Sequence, residues 1–336
     1  MMDIGPYSGI AKYIGKGIVK IATLLIAVSI LSFILVSMSP VDPVRAYIGE
    51  VGIANMSAEN LARLEAYFGL DTPPVVRYWN WFTDFLQGNM GISLFYRQPV
   101  ASVIHVKFMN SMALMAAAWI FSGVLGFALG ITAGFYRGRF IDRVIKGYAL
   151  LIASTPTFWL ALVLLMVFAV WLQLLPIGLS VPIGVNAAEV SVFDSLKHLI
   201  LPALTLSVIG IANITLHTRE KMIDIMAEDY ILFAKARGKS RLAIIRNHAL
   251  RNIMLPAITL QFASISEIFG GSVLVEQVFS YPGLGKAAVA AGLGGDAPLL
   301  LGIAVISAAL VFSGNFIANI LYGIIDPRIR RGSTNE

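Results

Sequence analysis

Cysteine is absent from the 336 residues, which excludes disulfide frameworks, thiolate metal sites and cysteine nucleophiles. Charge is scarce: Asp, Glu, Lys and Arg make up 13% of the chain and hydrophobic residues 57%, far from the roughly quarter-charged, half-apolar balance of an average soluble domain. That balance argues against a water-soluble single core. The signatures of membrane proteases and hydrolases are missing too, with no His-Glu-x-x-His, Gly-x-Ser-x-Gly or Gly-x-Gly-Asp. His105, His198, His217 and His248 lie far apart in the sequence, so neither a metal site nor a catalytic set is expected. The formal charge of +6 would suit nucleic acid only as a basic face on a soluble fold. Orientation in a membrane accounts for it better.

What the chain has in abundance is long apolar runs. A bilayer core needs about 20 apolar residues in helical form, and residues 21–41, 108–136, 147–188 and 297–325 carry no charge at all. Two more candidates are shorter or interrupted: 199–216, flanked by His198 and His217, and 252–275, which contains Glu267. The expectation is an all-α integral membrane protein with six transmembrane helices. Lys12, Lys16 and Lys20 ahead of the first run would suit a signal peptide, but the run is longer than a signal core and lacks a small-x-small cleavage pattern, so a retained helix is expected. The third window is too long for one helix; Leu175-Pro176-Ile177-Gly178 breaks it, leaving a helix from about Tyr148 to Leu174.

Lys and Arg accumulate on the cytoplasmic side of membrane proteins. With the N-terminus inside, segments 1–20, 136–147, 218–252 and 324–336 hold 18 of the 25 basic residues. Both termini are therefore expected in the cytoplasm, and the division runs 1–20 (cytoplasmic N-terminus), 21–41 (first span), 42–107 (external segment), 108–323 (five-helix domain including loop 218–252) and 324–336 (cytoplasmic tail). The external segment is too rich in aromatics to be disordered. Ser57 is a fitting N-cap for a short amphipathic helix through Leu61, Leu64 and Phe68, stopped by Gly69. Tyr78, Trp79, Trp81, Phe82 and Phe85 suit a membrane interface, and interfacial anchoring explains them more simply than a platform for a partner.

Gly126, Gly130 and Gly134 in the second span make successive small-xxx-small steps, a face for close helix packing where lipid supplies no hydrophobic driving force. Glu267 stands inside a span, where a central charge costs about 2.5 to 3.5 kcal/mol on insertion scales; it either faces a translocation path or is hydrated near its helix end. The inner loop 218–252 reads as two short helices. A run from Glu228 and Asp229 through Ala234, Ala236 and Arg237 ends at Gly238, and Ser240 caps a second run through Leu242, Ile244, Ile245 and Leu250. Acidic residues at the start and basic ones at the end complement the helix dipole. Such a pair suits the grip of a soluble partner, or an interfacial amphipathic helix. Gly238-Lys239-Ser240 is not a phosphate loop, since Phe233 stands where the first Gly would be needed.

Several stretches, in order, resemble the permease family of dipeptide, oligopeptide and nickel ABC importers. Pro40-Val-Asp-Pro43 is similar to the family's Pro-Gly-Asp-Pro, Phe68-Gly-Leu-Asp-Thr-Pro73 to Leu-Gly-Leu-Asp-x-Pro, and Gly88-Asn-Met-Gly-Ile-Ser93 to Gly-Asp-Leu-Gly-x-Ser, with Val41 and Asn89 departing from the commoner residues. Asp229-Tyr230, Ala234-Lys-Ala-Arg-Gly238, Arg246-Asn-His-Ala-Leu-Arg-Asn252 and Ile253-Met-Leu-Pro256 resemble its coupling loop. Glu276-Gln-Val-Phe-Ser-Tyr-Pro-Gly-Leu-Gly285 and Ile325-Asp-Pro-Arg-Ile-Arg330 resemble two further landmarks. The resemblance implies a permease subunit in the cell membrane without an ATPase site or cofactor of its own. Its implied partners are a second homologous permease, two cytoplasmic ABC ATPases that bind ATP, and an external solute-binding protein. Glu228, Asp229, Tyr230, Ala234, Ala236, Arg237, Gly238, Arg246 and His248 would meet an ATPase, Glu267 would line the path, and closure of the ATPases would drive alternating access. The expected solute is peptide-like, with oligosaccharides and nickel as alternatives. A polytopic membrane enzyme would need convergent polar residues within spans, and a channel or secondary carrier would need inverted halves or several intramembrane charges. The sequence displays neither.

Overall fold

The computed structural model describes residues 6–39, 43–67, 71–181 and 190–325. Among the described residues fifteen α-helices follow one another: α1 (Pro6–Ser37), α2 (Pro43–Ile48), α3 (Glu50–Ala54), α4 (Ala58–Tyr67), α5 (Pro74–Leu86), α6 (Val100–Phe135), α7 (Phe140–Ala153), α8 (Thr157–Leu164), α9 (Val192–Met226), α10 (Asp229–Ala236), α11 (Arg241–Ile244), α12 (Leu250–Ala263), α13 (Ile265–Val278), α14 (Leu284–Leu293) and α15 (Ala297–Ile325). Wider π-turns continue α8 over Leu165–Trp171 and join α11 to α12 over Ile245–Ala249. Among the described residues the extended backbone amounts to a single antiparallel bridge, Ile92 to Pro99.

Among the described residues four stretches are long and apolar enough to cross a membrane: Ile14–Ser37, Val100–Phe135, Val192–Met226 and Ala297–Ile320. Two bent pairs, Phe140–Ala153 with Thr157–Trp171 and Arg241–Ala263 with Ile265–Val278, raise the number to six if each is one span. An all-helical membrane protein is what the composition led us to expect. Several expected boundaries are corrected. The first helix ends at Ser37 rather than Val41, and α9 stays helical to Met226, so the charged segment starts as a continuation of a span. The single helix expected over residues 148–174 is two, meeting at 113°. Pro156 has no N–H and disfavours helical backbone at Thr155, while Ser154 Oγ (3.0 Å) and Thr155 Oγ1 (2.7 Å) donate to the Leu151 carbonyl left at the end of α7. The expected span 252–275 bends by 50° at Ser264, whose hydroxyl donates to Gln261 O at 2.8 Å, a back-bond that bends helices. Pro40 to Asp42, Phe68 to Leu70 including the Gly69 stop, Pro182 to Ala188 and the Asp326 to Arg330 motif lie outside the described residues.

The chain forms two compact units. One holds the chain up to Asn110 and Gly283–Ser313. Ser57 caps α4 as expected, accepting from Asn60 N–H at 3.4 Å. The aromatic cluster on α5 divides: Tyr78 packs edge-on against Phe33 of α1 with ring centres 5.3 Å apart and shares a 2.9 Å hydrogen bond with Ser29, whereas Trp79 is 61% exposed. Asp296 caps α15 by accepting from Leu299 N–H at 3.2 Å, and its other oxygen accepts from Ser93 Oγ at 2.5 Å and Phe95 N–H at 3.0 Å. One buried carboxylate thus pins the Gly88–Ser93 loop to the start of a membrane-length helix. Below it Val100, Val103 and Ile104 of α6 pack with Leu284 and Ala287 of α14 and Leu299 and Ile303 of α15.

The second unit holds Ser111–Pro282 and the chain from Gly314. The small-residue face expected on the second span meets α9 directly. A Cβ added at Gly126 would stand 2.8 Å from Ile214 Cβ, at Gly130 2.5 Å from Thr218 Cβ, and at Gly134 2.6 Å from Met222 Cβ. Thr215 Oγ1 donates to Gly126 O at 3.2 Å across the seam. Beside it Trp119 Nε1–H donates to Gln261 O at 2.8 Å and Gln261 Nε2 returns a bond to Trp119 O, tying α6 to α12. Overpacking such a contact costs roughly 1 to 3 kcal/mol. Gly130→Leu is therefore expected to lower the melting temperature of the detergent-purified chain by several degrees, while Gly147→Leu, with nothing within 4 Å of its added Cβ, leaves it nearly unchanged; scanning fluorimetry reads both.

Candidate functional site

The charged segment after α9 folds as a short helix clamped onto the ends of longer ones. α9 stops at Met226, Ala227 and Glu228 turn the chain, and α10 begins at Asp229 with Glu228 as N-cap residue making no side-chain cap. At its far end Gly238 N–H bonds Lys235 O (2.9 Å) and Lys239 N–H bonds Ala234 O (3.3 Å), the paired closure of a Schellman motif. That closure needs left-handed backbone, and Gly238 supplies it at φ 74°. Ser240 then caps α11, its Oγ accepting from Ala243 N–H at 3.3 Å as the sequence led us to expect. The helix runs on through the π-turn into α12.

α10 is two-faced. Ile231 and Ala234 are buried against Met222 and Ile225 of α9, Ile244 of α11, Ala249 and Ile253 of α12, with Phe127 and Phe135 of α6 at the edge. Leu232, Phe233 and, on α11, Leu242 point outward at 50%, 64% and 75% exposure. Of the residues singled out from sequence, Glu228, Asp229, Tyr230, Ala236, Arg237 and Gly238 are exposed together on or beside α10. Ala234 is not: it sits in the core and lets α10 lie close to the helices beneath. Arg246 is exposed on the π-turn, and His248 beside it accepts from Lys239 Nζ at 2.9 Å. Tyr230 Oη accepts from Asn252 Nδ2 at 3.0 Å, bridging α10 to α12 over a cleft of about 380 Å³ that Lys221 and Glu228 also line. Glu267 lies apart from this group, in the first turn of α13.

Two charged sites went unread in the sequence. Asp142 in the first turn of α7 receives Arg219 Nε at 2.5 Å, Arg219 Nη2 at 2.8 Å and Gly138 N–H at 2.8 Å. Their side chains are 4% and 15% exposed, so a buried two-pronged ion pair fastens α7 and its preceding turn to α9. The signal available was a lone acid among Arg137, Arg139, Arg143 and Lys146. Glu276 is the second. The span expected over 252–275 contains Glu267 as its acid, but α13 runs to Val278 and includes Glu276 as well, which is fully buried and accepts from Ser111 Oγ at 2.6 Å.

Residues 126–331 match the family model described as binding-protein-dependent transport system inner membrane component, and residues 10–115 match the model of that system's N-terminal membrane component. The chain is similar to the oligopeptide transport system permease protein AppB of Bacillus subtilis, at 35% identity over 95% of this chain and 99% of that protein. It is similar to the dipeptide transport system permease protein DppB of Escherichia coli at 33% over 91% and 94%, and to the glutathione transport system permease protein GsiC of Salmonella choleraesuis at 32% over 95% and 99%.

Removing one member of a buried ion pair costs about 3 to 5 kcal/mol, because a charge is left without a partner. Arg219→Met is therefore expected to depress the melting temperature strongly. Asp142→Asn combined with Arg219→Met is expected to recover most of the loss, since Asn still accepts from Gly138 N–H; thermal melts of both variants check the order.

Proposed function

The chain belongs to the family of binding-protein-dependent transport system inner membrane components, and on that premise we propose that its solute is a peptide and that α10 is the element through which an ATPase moves it. As a member it is a multi-pass cell-membrane permease subunit of an ABC importer and not itself an enzyme. Such a system works with an ATPase and a solute-binding protein. The peptide assignment is supported by relatives named for oligopeptides, dipeptides and glutathione.

The observation that carries the coupling role is the division of α10. A lever must be rigid where it is held and apolar where it is gripped. Ile231 and Ala234 hold it in a core shared with α9, α11 and α12, and Leu232 and Phe233 offer the grip. In our reading six spans place both termini and segment 218–252 in the cytoplasm and segment 42–107 outside. Two permeases, this chain and a homologous one, pair with two ATPases that bind all the ATP. Closure of the ATPases pushes α10, and the push reaches α9 and α12 as rigid bodies.

Gly238→Arg is a poor probe of docking, because left-handed backbone at φ 74° strains any replacement. Phe233→Glu changes the exposed face and leaves the buried one alone. We expect the wild-type chain to co-purify with its ATPase, and Phe233→Glu to insert normally while retaining about a tenth of the bound ATPase or less, a loss of roughly 1.4 kcal/mol or more. Equal retention by both proteins would remove α10 from the interface.

A further inference from the structure

Two membrane-length segments of this chain are broken, and both breaks open on one cavity. Thr157, the first residue of α8 after the Pro156 bend, lines it, as do Ser264 at the α12–α13 bend and Glu267 one turn beyond. Gly210 of α9 and Gly270 of α13 line it too, beside the apolar Leu206, Ile268 and Leu274, and the half-open space is about 260 Å³. Interrupted helices at membrane depth are tolerated where protein or water lines them, and in transporters the ends of half-helices gather around the solute.

Among the described residues lining this cavity, Glu267 alone is ionisable. Its place in the first turn of α13 sets the carboxyl group near the N-terminal end of a helix, where the backbone dipole favours negative charge. Ser264 gives its proton to Gln261 O, so its oxygen lone pairs remain for an incoming donor. A Cβ at Gly270 would meet nothing within 4 Å, which leaves that wall open. The site therefore combines a carboxylate, hydroxyl acceptors and room, and it suits a cation that donates hydrogen bonds. The volume lies below the roughly 300 to 1,000 Å³ of pockets that enclose a whole drug-sized ligand. It suits one end of a solute.

We infer that this cavity is the subsite that receives the α-ammonium group of a peptide in transit, with Glu267 as its counter-ion. The inference rests on the peptide-import reading, and the test separates the two. The complete importer, with its second permease, ATPases and binding protein, is reconstituted in proteoliposomes. ATP-dependent uptake of a labelled dipeptide is measured alongside ATP hydrolysis. Glu267→Gln is expected to assemble and hydrolyse ATP within about twofold of wild type but to take up peptide about tenfold more slowly, with Glu267→Asp within about threefold.

Charge is then separated from shape. The chain has no cysteine, so Glu267→Cys places a single thiol in it, which is alkylated before assembly with iodoacetate, adding a carboxylate, or iodoacetamide, adding a neutral amide of nearly the same size. Recovery of uptake with the first adduct and not the second is the expected result. Wild-type uptake by Glu267→Gln, identical behaviour of the two adducts, or a parallel loss of assembly, ATP hydrolysis and uptake would each overturn the subsite. A wild-type importer that takes up no peptide would instead overturn the import reading on which it stands.

Discussion

The close approach of α6 and α9 is the constraint on which the rest of their unit depends. In lipid, apolar side chains gain nothing by leaving one apolar surroundings for another, so helices hold together through dispersion at short range and hydrogen bonds between them. Gly126, Gly130 and Gly134 stand four residues apart and face Ile214, Thr218 and Met222, also four apart. Each missing Cβ is a place where the α9 side chain rests on the α6 backbone. Thr215 adds a hydrogen bond to the Gly126 carbonyl that no larger residue at 126 would leave reachable.

The seam ends where the core beneath α10 begins. Met222 is both the last residue of the glycine contact and a member of the core that buries Ile231 and Ala234 of α10. Three residues earlier on the same helix, Arg219 is locked to Asp142 of α7. α10 therefore rests on α9 at a point braced on one side by glycine packing and on another by an ion pair. Continuous helix from α11 through the π-turn to α12 makes a second connection, held to α6 by the reciprocal Trp119 and Gln261 bonds. Both connections run to helices that border the cavity between the two bends, since Gly210 lies further along α9 and Ser264 at the end of α12.

Much of this was legible from residue order. Apolar windows locate the spans because a bilayer demands a minimum length of uncharged helix. Ser57 and Ser240 announced helix starts, and Gly238 a stop, because capping is a transaction among residues three or four apart. The small-residue face on the second span announced close packing, though not its partner. The bends were illegible in part. Pro156 stands within an apolar run whose length alone fits one span, and Ser264 bends α12 through a hydroxyl back-bond that many helical serines make without such effect. The Asp142–Arg219 pair spans 77 positions, and no local rule connects them.

The sequence by itself determined that this chain is a helical membrane protein, where its apolar segments run and which short helix ends on Gly238, since all of these follow from hydration and from hydrogen bonds between near neighbours. Only the tertiary structure decided that Ala234 faces inward while Phe233 faces out, that Glu276 is buried, and that Thr157 and Glu267 border one cavity. Those outcomes depend on contacts between residues tens to hundreds of positions apart, and such contacts are chosen by the packing of whole helices.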